Sequence, residues 1–307
     1  MVLTLATLTA GLVALFVGGE VLVRGSVALA SRLGISPLVI GLTIVGFGTS
    51  TPELLVSLNA ALKGSPDIAV GNIVGSNIAN ILLILGVSAV IMPFVARFAD
   101  LSRDLTVMIM ASLALLALGY LGAVDRLSGT VMFLCLAGYI AYLFRFGSNS
   151  SEIPVVDGKP QTWTMIVACL AGGLATLVFG ADWLVDSSTT IARQFGISEA
   201  VIGLTIVAVG TSLPELATSV IAAFRRQADV AIGNVVGSNI FNILGILGIT
   251  AIVQPVNISQ HMASVDIPVM VAVGLALVLM VILLKRVGRL VGCAFIAAYT
   301  VYVALLF

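Results

Sequence analysis

The sequence repeats itself at an offset of 162 residues, and this duplication limits the possible architecture more than any other feature. Residues 34–93 and 196–255 are identical at 36 of 60 positions without a gap. The matched segments include GISPLVIGLTIVGFGTSTPELLVS against GISEAVIGLTIVAVGTSLPELATS, and DIAVGNIVGSNIANILLILG against DVAIGNVVGSNIFNILGILG. Agreement over this length indicates an internal duplication. We therefore predict two equivalent halves, 1–145 and 163–307, joined by a linker at 146–162.

The composition places both halves in a lipid bilayer. Hydrophobic residues make up 60% of the 307 residues and charged residues 9%, whereas soluble domains have about 45–50% and about 25%. The formal net charge of zero gives no reason to expect nucleic acid as a partner. One histidine and three scattered cysteines predict neither a soft-metal site nor a disulfide framework.

Apolar runs separated by charged, glycine and proline residues predict an all-α integral membrane protein with ten spans. The predicted spans are 2–31, 36–62, 67–92, 103–121, 126–145, 163–192, 198–224, 229–254, 264–284 and 288–307. Five spans separate equivalent points of the repeat, and this odd number requires the two five-helix halves to cross the membrane in opposite directions. Inverted repeats of this kind are typical of secondary transporters.

The basic residues sort to one side of this topology. Of the fourteen lysines and arginines, only Lys63, Arg126 and Arg193 fall on the side of the two termini. Cytoplasmic loops are enriched in basic residues. The linker 146–162 is therefore predicted to be cytoplasmic, with both termini outside.

Each half carries one glutamate near the centre of a predicted span. Glu53 ends the segment GFGTSTPE and Glu215 ends its repeat AVGTSLPE. Glu53 lies about 6 Å from the midpoint of its span at about 1.5 Å per residue. A charged side chain at the bilayer centre costs several kcal/mol and is a functional candidate by default. We therefore predict that both glutamates belong to a functional site.

The residues before Glu53 supply further oxygen atoms. Proline removes a backbone donor and glycine lets the helix open, which frees carbonyl groups about one turn earlier. The carbonyl of Gly46 or Thr49, the hydroxyls of Thr49 and Ser50, and the Glu53 carboxylate then form an all-oxygen cluster. Such clusters suit hard cations such as calcium and sodium, whereas soft metals prefer cysteine or histidine.

The next span of each half completes the pattern. Ser76 and Asn80 are four residues apart and share a helix face, as do Ser238 and Asn242. Hydrogen bonds between helices are the alternative role of such residues. Since both asparagines recur in register with the glutamates, we favour them as cation ligands.

The charge of this site favours antiport. Two glutamates carry a charge of about −2, which one calcium ion neutralises, whereas an empty ionised site would carry that charge through the low-dielectric core. We therefore expect reorientation only with calcium, monovalent cations or protons bound.

Two alternatives to an antiporter are an intramembrane enzyme and a passive channel. The sequence contains no HExxH motif and no histidine within a predicted span, which argues against the enzyme. We therefore expect no catalytic residue and no cofactor. A channel would pass calcium without an opposing ion gradient.

The paired motifs GTSxPE and GNxxGSNIxN resemble the two alpha-repeats of the sodium/calcium exchanger family within the calcium:cation antiporter superfamily. The resemblance covers the whole chain, with motifs at 41–86 and 203–248, and is strongest to compact prokaryotic members. It implies exchange of calcium for sodium by alternating access, in which the first and sixth spans slide against the other eight. It also implies a prokaryotic plasma membrane and inorganic cations as substrates. A monomer suffices for this architecture, and the sequence leaves an oligomer open.

The resemblance also implies a set of cation ligands. Glu53 and Glu215 would be the carboxylates that calcium and sodium share. The other implied ligands are the backbone carbonyls of Gly46, Thr49, Ala208 and Thr211, the sodium-binding serines Ser50, Ser76, Ser212 and Ser238, and the central amides Asn80 and Asn242.

One position departs from the family pattern. Many members, and potassium-dependent exchangers in particular, carry an aspartate where this sequence has Asn242. The proton-coupled branch of the superfamily uses asparagine at such positions, although its acidic motif lacks the Thr-Ser pair present here. Sodium coupling is our first expectation, with proton-coupled cation antiport and potassium-dependent exchange as the alternatives.

Overall fold

The computed structural model describes residues 2–146, 162–195, 208–284 and 286–305. Most of the predicted linker 146–162 and the beginning of the predicted seventh span, 198–207, therefore lie outside the described residues.

The described residues form helices and four two-residue strands. The helices are α1 (Val2–Leu33), α2 (Pro37–Thr49), α3 (Thr51–Leu62), α4 (Pro66–Ile91), α5 (Phe98–Leu121), α6 (Arg126–Phe146), α7 (Trp163–Gln194), α8 (Ala208–Gly210), α9 (Leu213–Phe224), α10 (Ala228–Val253), α11 (Met262–Leu284) and α12 (Arg289–Leu305). The strands are β1 (Phe94–Val95), β2 (Ala123–Val124), β3 (Val256–Asn257) and β4 (Arg286–Val287).

Seven of the described helices are long and apolar enough to cross a membrane, and the bent pair α2–α3 would make an eighth if the two helices form one broken span. The helices α9 and α12 are apolar but shorter than a full span. The prediction of ten spans thus stays a prediction, since residues 196–207 before α8 lie outside the described residues.

The helix α5 begins at Phe98, five residues before the predicted start of its span at 103. The charges of Arg103 and Asp104 marked the predicted boundary, but these side chains compensate each other. The Arg103 Nε atom donates to Asp104 Oδ1 at 2.7 Å, and the Tyr139 hydroxyl donates to the same oxygen at 2.9 Å. Because the buried carboxylate is paired, the helix continues through both charged residues.

The equivalent helices α4 and α10 form the centre of the molecule. In their most apolar stretches 78% of the α4 residues and 89% of the α10 residues are buried. Each contains a π-helical segment, Asn80–Leu85 in α4 and Phe241–Leu247 in α10. Single π-helical turns are frequent at functional sites, and here both begin within one residue of a predicted ligand, Asn80 or Asn242.

The helices α1 and α7 pack mainly against each other at the periphery. Only 33% of the most apolar stretch of α1 and 28% of that of α7 is buried. At their crossing, a Cβ atom on Gly18 would lie 2.9 Å from the Gly173 carbonyl oxygen. Small residues let membrane helices approach this closely, so the backbones of α1 and α7 are in direct contact.

Short antiparallel ribbons join the two halves of the chain. The strand β1 pairs with β4, with Phe94 opposite Val287, and β2 pairs with β3, with Ala123 opposite Asn257. Each ribbon therefore contains one strand from each half.

The contact between α2 and α10 predicts a position at which even a methyl group is harmful. A Cβ atom on Gly233 would lie 2.7 Å from the backbone carbonyl oxygen of Leu38, which cannot move independently. We expect Gly233→Ala to destabilise the fold by about 1–3 kcal/mol, the usual cost of overpacking. Thermal unfolding in detergent measures this, with Gly138→Ala as control because no described atom lies within 4 Å of its added Cβ atom. Equal melting temperatures for the two variants would contradict the prediction.

Candidate cation site

The two predicted glutamates lie immediately after breaks in their helices. Ser50 separates α2 from α3, which are bent by 46° relative to each other, and Pro52 cannot donate a hydrogen bond to continue the helix. Ser50 and its repeat equivalent Ser212 have nearly the same backbone angles, φ −82° and ψ 10° against φ −88° and ψ 6°. Glu53 and Glu215 therefore both fall in the first turn of a new helix, where the helix dipole favours a negative charge.

Each glutamate accepts a hydrogen bond from the serine of the other half. Ser50 Oγ donates to Glu215 Oε1 at 2.7 Å, and Ser212 Oγ donates to Glu53 Oε1 at 3.1 Å. Both glutamates are only 1% exposed. The crossed hydrogen bonds hold the two carboxylates in a single buried cluster at the meeting point of the two halves.

Four buried oxygen atoms of the predicted ligands have no hydrogen-bond partner among the described residues. They are Glu53 Oε2, Glu215 Oε2, Asn80 Oδ1 and Asn242 Oδ1. The other described side-chain atoms in this condition are hydroxyls, those of Thr189, Thr218 and Thr250. A buried unpaired oxygen costs about 1–3 kcal/mol, and more when it is charged. A hard cation would be a suitable partner for these two carboxylate and two amide oxygens.

The asparagines lie close to the carboxylate cluster along the central helices. Ser212 Oγ is 3.4 Å from Ser76 Oγ, and Asn80 follows Ser76 by about one helical turn on the same face of α4. On the other side, Ser238 Oγ donates to the Gly46 carbonyl at 3.3 Å, and Asn242 follows Ser238 by one turn of α10. The predicted serines thus connect each broken helix to the central helix of the other half.

The remaining predicted ligands lie in the same region. Thr49 is fully buried and donates to Asn234 Oδ1 at 3.1 Å, and Thr211 lies beside the Glu53 carboxylate. The Gly46 carbonyl accepts from Ser50 N at 3.2 Å in addition to the bond from Ser238, so both of its lone pairs are used in this conformation. Only the backbone of Ala208 is described, at the first residue of α8.

Two asparagines that the sequence reasoning did not select support the broken helices. Asn72 Nδ2 donates to the Glu53 backbone carbonyl at 3.2 Å and to Ser57 Oγ at 2.9 Å. Asn234 Nδ2 makes the same bonds to the Glu215 carbonyl and to Ser219 Oγ, at 3.2 and 2.9 Å. Their recurrence 19 residues after each glutamate was the sequence signal that could have found them.

Two further asparagines that were not selected contact the amides of the predicted ligands. Asn80 Nδ2 donates to Asn239 Oδ1 and Asn242 Nδ2 donates to Asn77 Oδ1, both at 3.0 Å. As with the serines, each bond joins one half of the chain to the other.

The oxygen atoms gathered here are of the type that hard cations prefer. Carboxylate, amide and hydroxyl oxygens surround the site. Among the described residues no group of three or more His, Cys, Asp or Glu side chains is placed to hold a metal ion, so a cation here would need the amide and hydroxyl oxygens beside the two carboxylates. Calcium takes six to eight such oxygens, and the two carboxylates match its charge.

The family sequence model described as "Sodium/calcium exchanger protein" matches residues 3–146 and 165–307. The chain belongs to the sodium/calcium exchanger family. It is accordingly a cation antiporter of an integral membrane type and not an enzyme. The match in two segments, one in each half of the chain, agrees with the duplication seen in the sequence.

Full-length relatives and solved structures resemble this exchanger. The putative antiporter CaxA of Alkalimonas amylolytica is 40% identical, covering 97% of this chain and 96% of the relative. The sodium/calcium exchanger MaX1 of Methanosarcina acetivorans is 31% identical over 97% of this chain and 96% of its own. A structure of the sodium-calcium exchanger NCX_Mj soaked with zero Na⁺ and Ca²⁺ aligns with a TM-score of 0.88 at 32% identity, covering 100% of this chain and 99% of NCX_Mj. The exchanger is thus similar to compact prokaryotic members over its whole length.

The support of Glu215 by Asn234 predicts a loss of stability when the amide is removed. Asn234→Ala leaves the Glu215 carbonyl and the Ser219 hydroxyl without their buried donor, which costs about 1–3 kcal/mol. We expect a lower melting temperature in detergent. Asn59→Ala, which changes an exposed asparagine of α3, is the control and should melt like the parent protein. A melting temperature for Asn234→Ala equal to that of the control would show that these bonds add no stability.

Proposed function

We propose that this exchanger moves calcium against sodium through one buried site at the meeting point of its two halves. The observation that carries the proposal is that four buried oxygens, on Glu53, Glu215, Asn80 and Asn242, have no hydrogen-bond partner in the described part of the chain. A calcium ion would neutralise the two carboxylates, and sodium ions would replace it during the return step. Because the doubly ionised empty site is costly in the membrane core, transport in one direction requires transport in the other.

The proposed ligands comprise a central group and a flanking group. Glu53, Glu215, Asn80 and Asn242 hold calcium at the centre, and the carboxylates also serve sodium. The flanking ligands are Ser50, Ser76, Ser212 and Ser238 through their hydroxyls, and Gly46, Thr49, Ala208 and Thr211 through their backbone carbonyls. Calcium and sodium are substrates, and the proposal includes no cofactor.

The reciprocal contacts support an inverted repeat. Adding 162 to Ser50 gives Ser212, and subtracting 162 from Glu215 gives Glu53, so the two crossed serine–glutamate bonds are equivalent. The same exchange relates the two asparagine bonds and the two ribbons almost residue for residue. We propose ten spans in two inverted five-helix halves, 1–145 and 163–307, with the linker 146–162 cytoplasmic and both termini outside a prokaryotic plasma membrane.

The packing of the peripheral helices supports alternating access. The helix α1 packs along α9, where a Cβ atom on Gly19 would lie 3.0 Å from Ile221 Cγ1. On the equivalent face of α3, Leu55 is 56% exposed and Val56 is 37% exposed. Two halves related by duplication thus adopt unequal packing, as one of two alternating conformations requires.

Proton-coupled antiport is the second candidate because asparagine occupies both central positions, Asn80 and Asn242. The names of MaX1 and NCX_Mj favour sodium coupling, and the name of CaxA specifies only an antiporter. The deciding experiment is radioactive calcium uptake into liposomes loaded with sodium, potassium or choline, each with and without a pH gradient. Uptake that requires internal sodium and ignores the pH gradient establishes sodium/calcium exchange. Uptake driven by internal acid regardless of sodium overturns it in favour of proton coupling.

The two central carboxylates predict the effect of neutralising either one. Glu53→Gln or Glu215→Gln removes half of the site charge, so we expect calcium exchange to fall to background while the protein still inserts. The same liposome assay measures this. Asp125→Asn, which neutralises an exposed carboxylate between α5 and α6, should exchange calcium like the parent protein. Transport at the parent level by either glutamine variant would show that the site is wrongly assigned.

A further inference from the structure

We propose that Asn77 and Asn239 are positioning residues that fix which end of the Asn242 and Asn80 amides faces the cation. This inference rests on the proposed calcium site. Asn77 and Asn239 are not proposed ligands themselves, since the oxygen of each side chain accepts a hydrogen bond from the amide of a proposed ligand. All four asparagines are only 1–2% exposed, so none can turn towards water for a partner.

An amide ligand needs such a positioning residue because its two ends are alike in size and opposite in character. The carbonyl oxygen accepts hydrogen bonds and can bind a cation, whereas the amide nitrogen donates two hydrogens and repels one. A half-turn of the Asn242 side chain would therefore replace a ligand with a positively polarised group. A carboxylate at the same position would present oxygen in either orientation.

A backbone carbonyl determines the orientation in the first pair. Asn77 Nδ2 donates to the Asn239 backbone carbonyl at 3.5 Å, which turns Asn77 Oδ1 towards Asn242. Asn242 Nδ2 donates to that oxygen at 3.0 Å, which leaves Asn242 Oδ1 free of any described donor. A half-turn of Asn242 would set two carbonyl oxygens against each other.

In the second pair the outer contact is a methionine sulfur, equivalent to the further contact of Asn77 Nδ2 with Met270 Sδ at 3.5 Å. Asn239 Nδ2 lies 3.7 Å from Met108 Sδ, and Asn239 Oδ1 accepts from Asn80 Nδ2 at 3.0 Å. The Asn80 oxygen is again left without a described donor. In both pairs the residue that orients a ligand belongs to the opposite half of the chain.

A double-mutant cycle tests the proposal through calcium affinity, measured by titration calorimetry on the purified full-length protein. Asn77→Leu should weaken calcium binding about tenfold or more, as loss of the partner of a metal ligand does. In an Asn242→Leu background the same change should have no further effect, because no amide remains to be oriented. In an Asn80→Leu background, Asn77→Leu should again weaken calcium binding about tenfold or more. Asn239→Leu should show the reverse pattern.

A conservative variant keeps the test independent of folding. Asn77→Asp retains an acceptor for Asn242 Nδ2, so it should bind calcium more tightly than Asn77→Leu. If Asn77→Leu weakens binding equally in both backgrounds, or if Asn77→Asp binds no better than Asn77→Leu, the residue only connects helices and the proposal is wrong. Unchanged calcium binding by Glu53→Gln would instead overturn the proposed site itself.

An independent observation concerns the ion pairs of the peripheral helices. Glu20 of α1 pairs with Arg24 and with Arg225, the residue that caps the C-terminus of α9, and Arg225 Nε lies 2.7 Å from Glu20 Oε2. The repeat equivalents are Asp182 of α7 and Lys63, which caps α3. The structure describes both of these residues and holds no ion pair between them.

We infer that the Glu20–Arg225 ion pair alternates with an ion pair between Asp182 and Lys63 at the opposite face of the membrane. We call these two pairs latches, because each would hold its face closed. In this conformation α1 covers α9 and the Glu20–Arg225 pair closes that end. Exchanging the conformations of the two halves would place α7 on the exposed face of α3 and bring Asp182 to Lys63. The inference rests on the alternating access proposed above.

Calcium activation from each face of the membrane tests the latches. Glu20→Gln should favour the conformation open at the Arg225 end and raise the apparent calcium affinity at that face about two- to fivefold, the range expected for a partly exposed ion pair. Asp182→Asn should instead raise the apparent calcium affinity at the opposite face, the Lys63 end. In a cysteine-free protein, Lys63→Cys with Asp182→Cys should cross-link during turnover, more than Lys63→Cys with Asp186→Cys. Shifts in the same direction, or no preferential cross-link in an exchanging protein, would overturn the latches while leaving the exchange activity established.

Discussion

Two carboxylates buried side by side in an apolar molecule are the constraint on which the rest of this structure depends. Glu53 and Glu215 are almost fully buried, and each has one oxygen that accepts from a serine and one with no hydrogen-bond partner among the described residues. In a membrane core this arrangement is costly until a cation enters. The helix breaks, the helix N-termini and the supporting asparagines all act to hold these charges in place. In the exchange proposed above, these two charges would couple the opposing ion movements.

The duplication supplies two copies of the same short motifs, and both copies are needed to form the site. Each half supplies a broken helix and a central helix, but the serine that donates to each glutamate carboxylate comes from the other half. The partners of the Asn80 and Asn242 amides also come from the other half. The site therefore exists only where the halves meet. Because the site needs both halves, its geometry depends on how they are placed relative to each other. That placement is unequal here, since α1 packs on α9 whereas the equivalent face of α3 is exposed.

Much of the fold, the family and the residues that gather around the two glutamates could be predicted from the sequence, whereas their role as cation ligands stays a prediction. The repeat, the apolar runs and the glutamates near span centres led to the exchanger family, which the family match and the similarity to NCX_Mj confirm. The position of α5 was less predictable, because a sequence shows the charges of Arg103 and Asp104 but not that they and Tyr139 pair. The supporting residues Asn72 and Asn234 were missed because polar residues in membrane helices usually connect helices.

The sequence by itself determined which residues are equivalent in the two halves, because the repeat marks them. It also predicted which of them lie near the membrane centre, because hydrophobic runs set the predicted spans. Only the tertiary structure decided which half satisfies which glutamate, since crossed bonds such as Ser50 to Glu215 join residues 165 positions apart. It also decided the direction of each amide, because an asparagine has the same letter whether its oxygen or its nitrogen faces the site. That direction depends on neighbours such as the Asn239 backbone carbonyl, which packing alone brings within reach of Asn77.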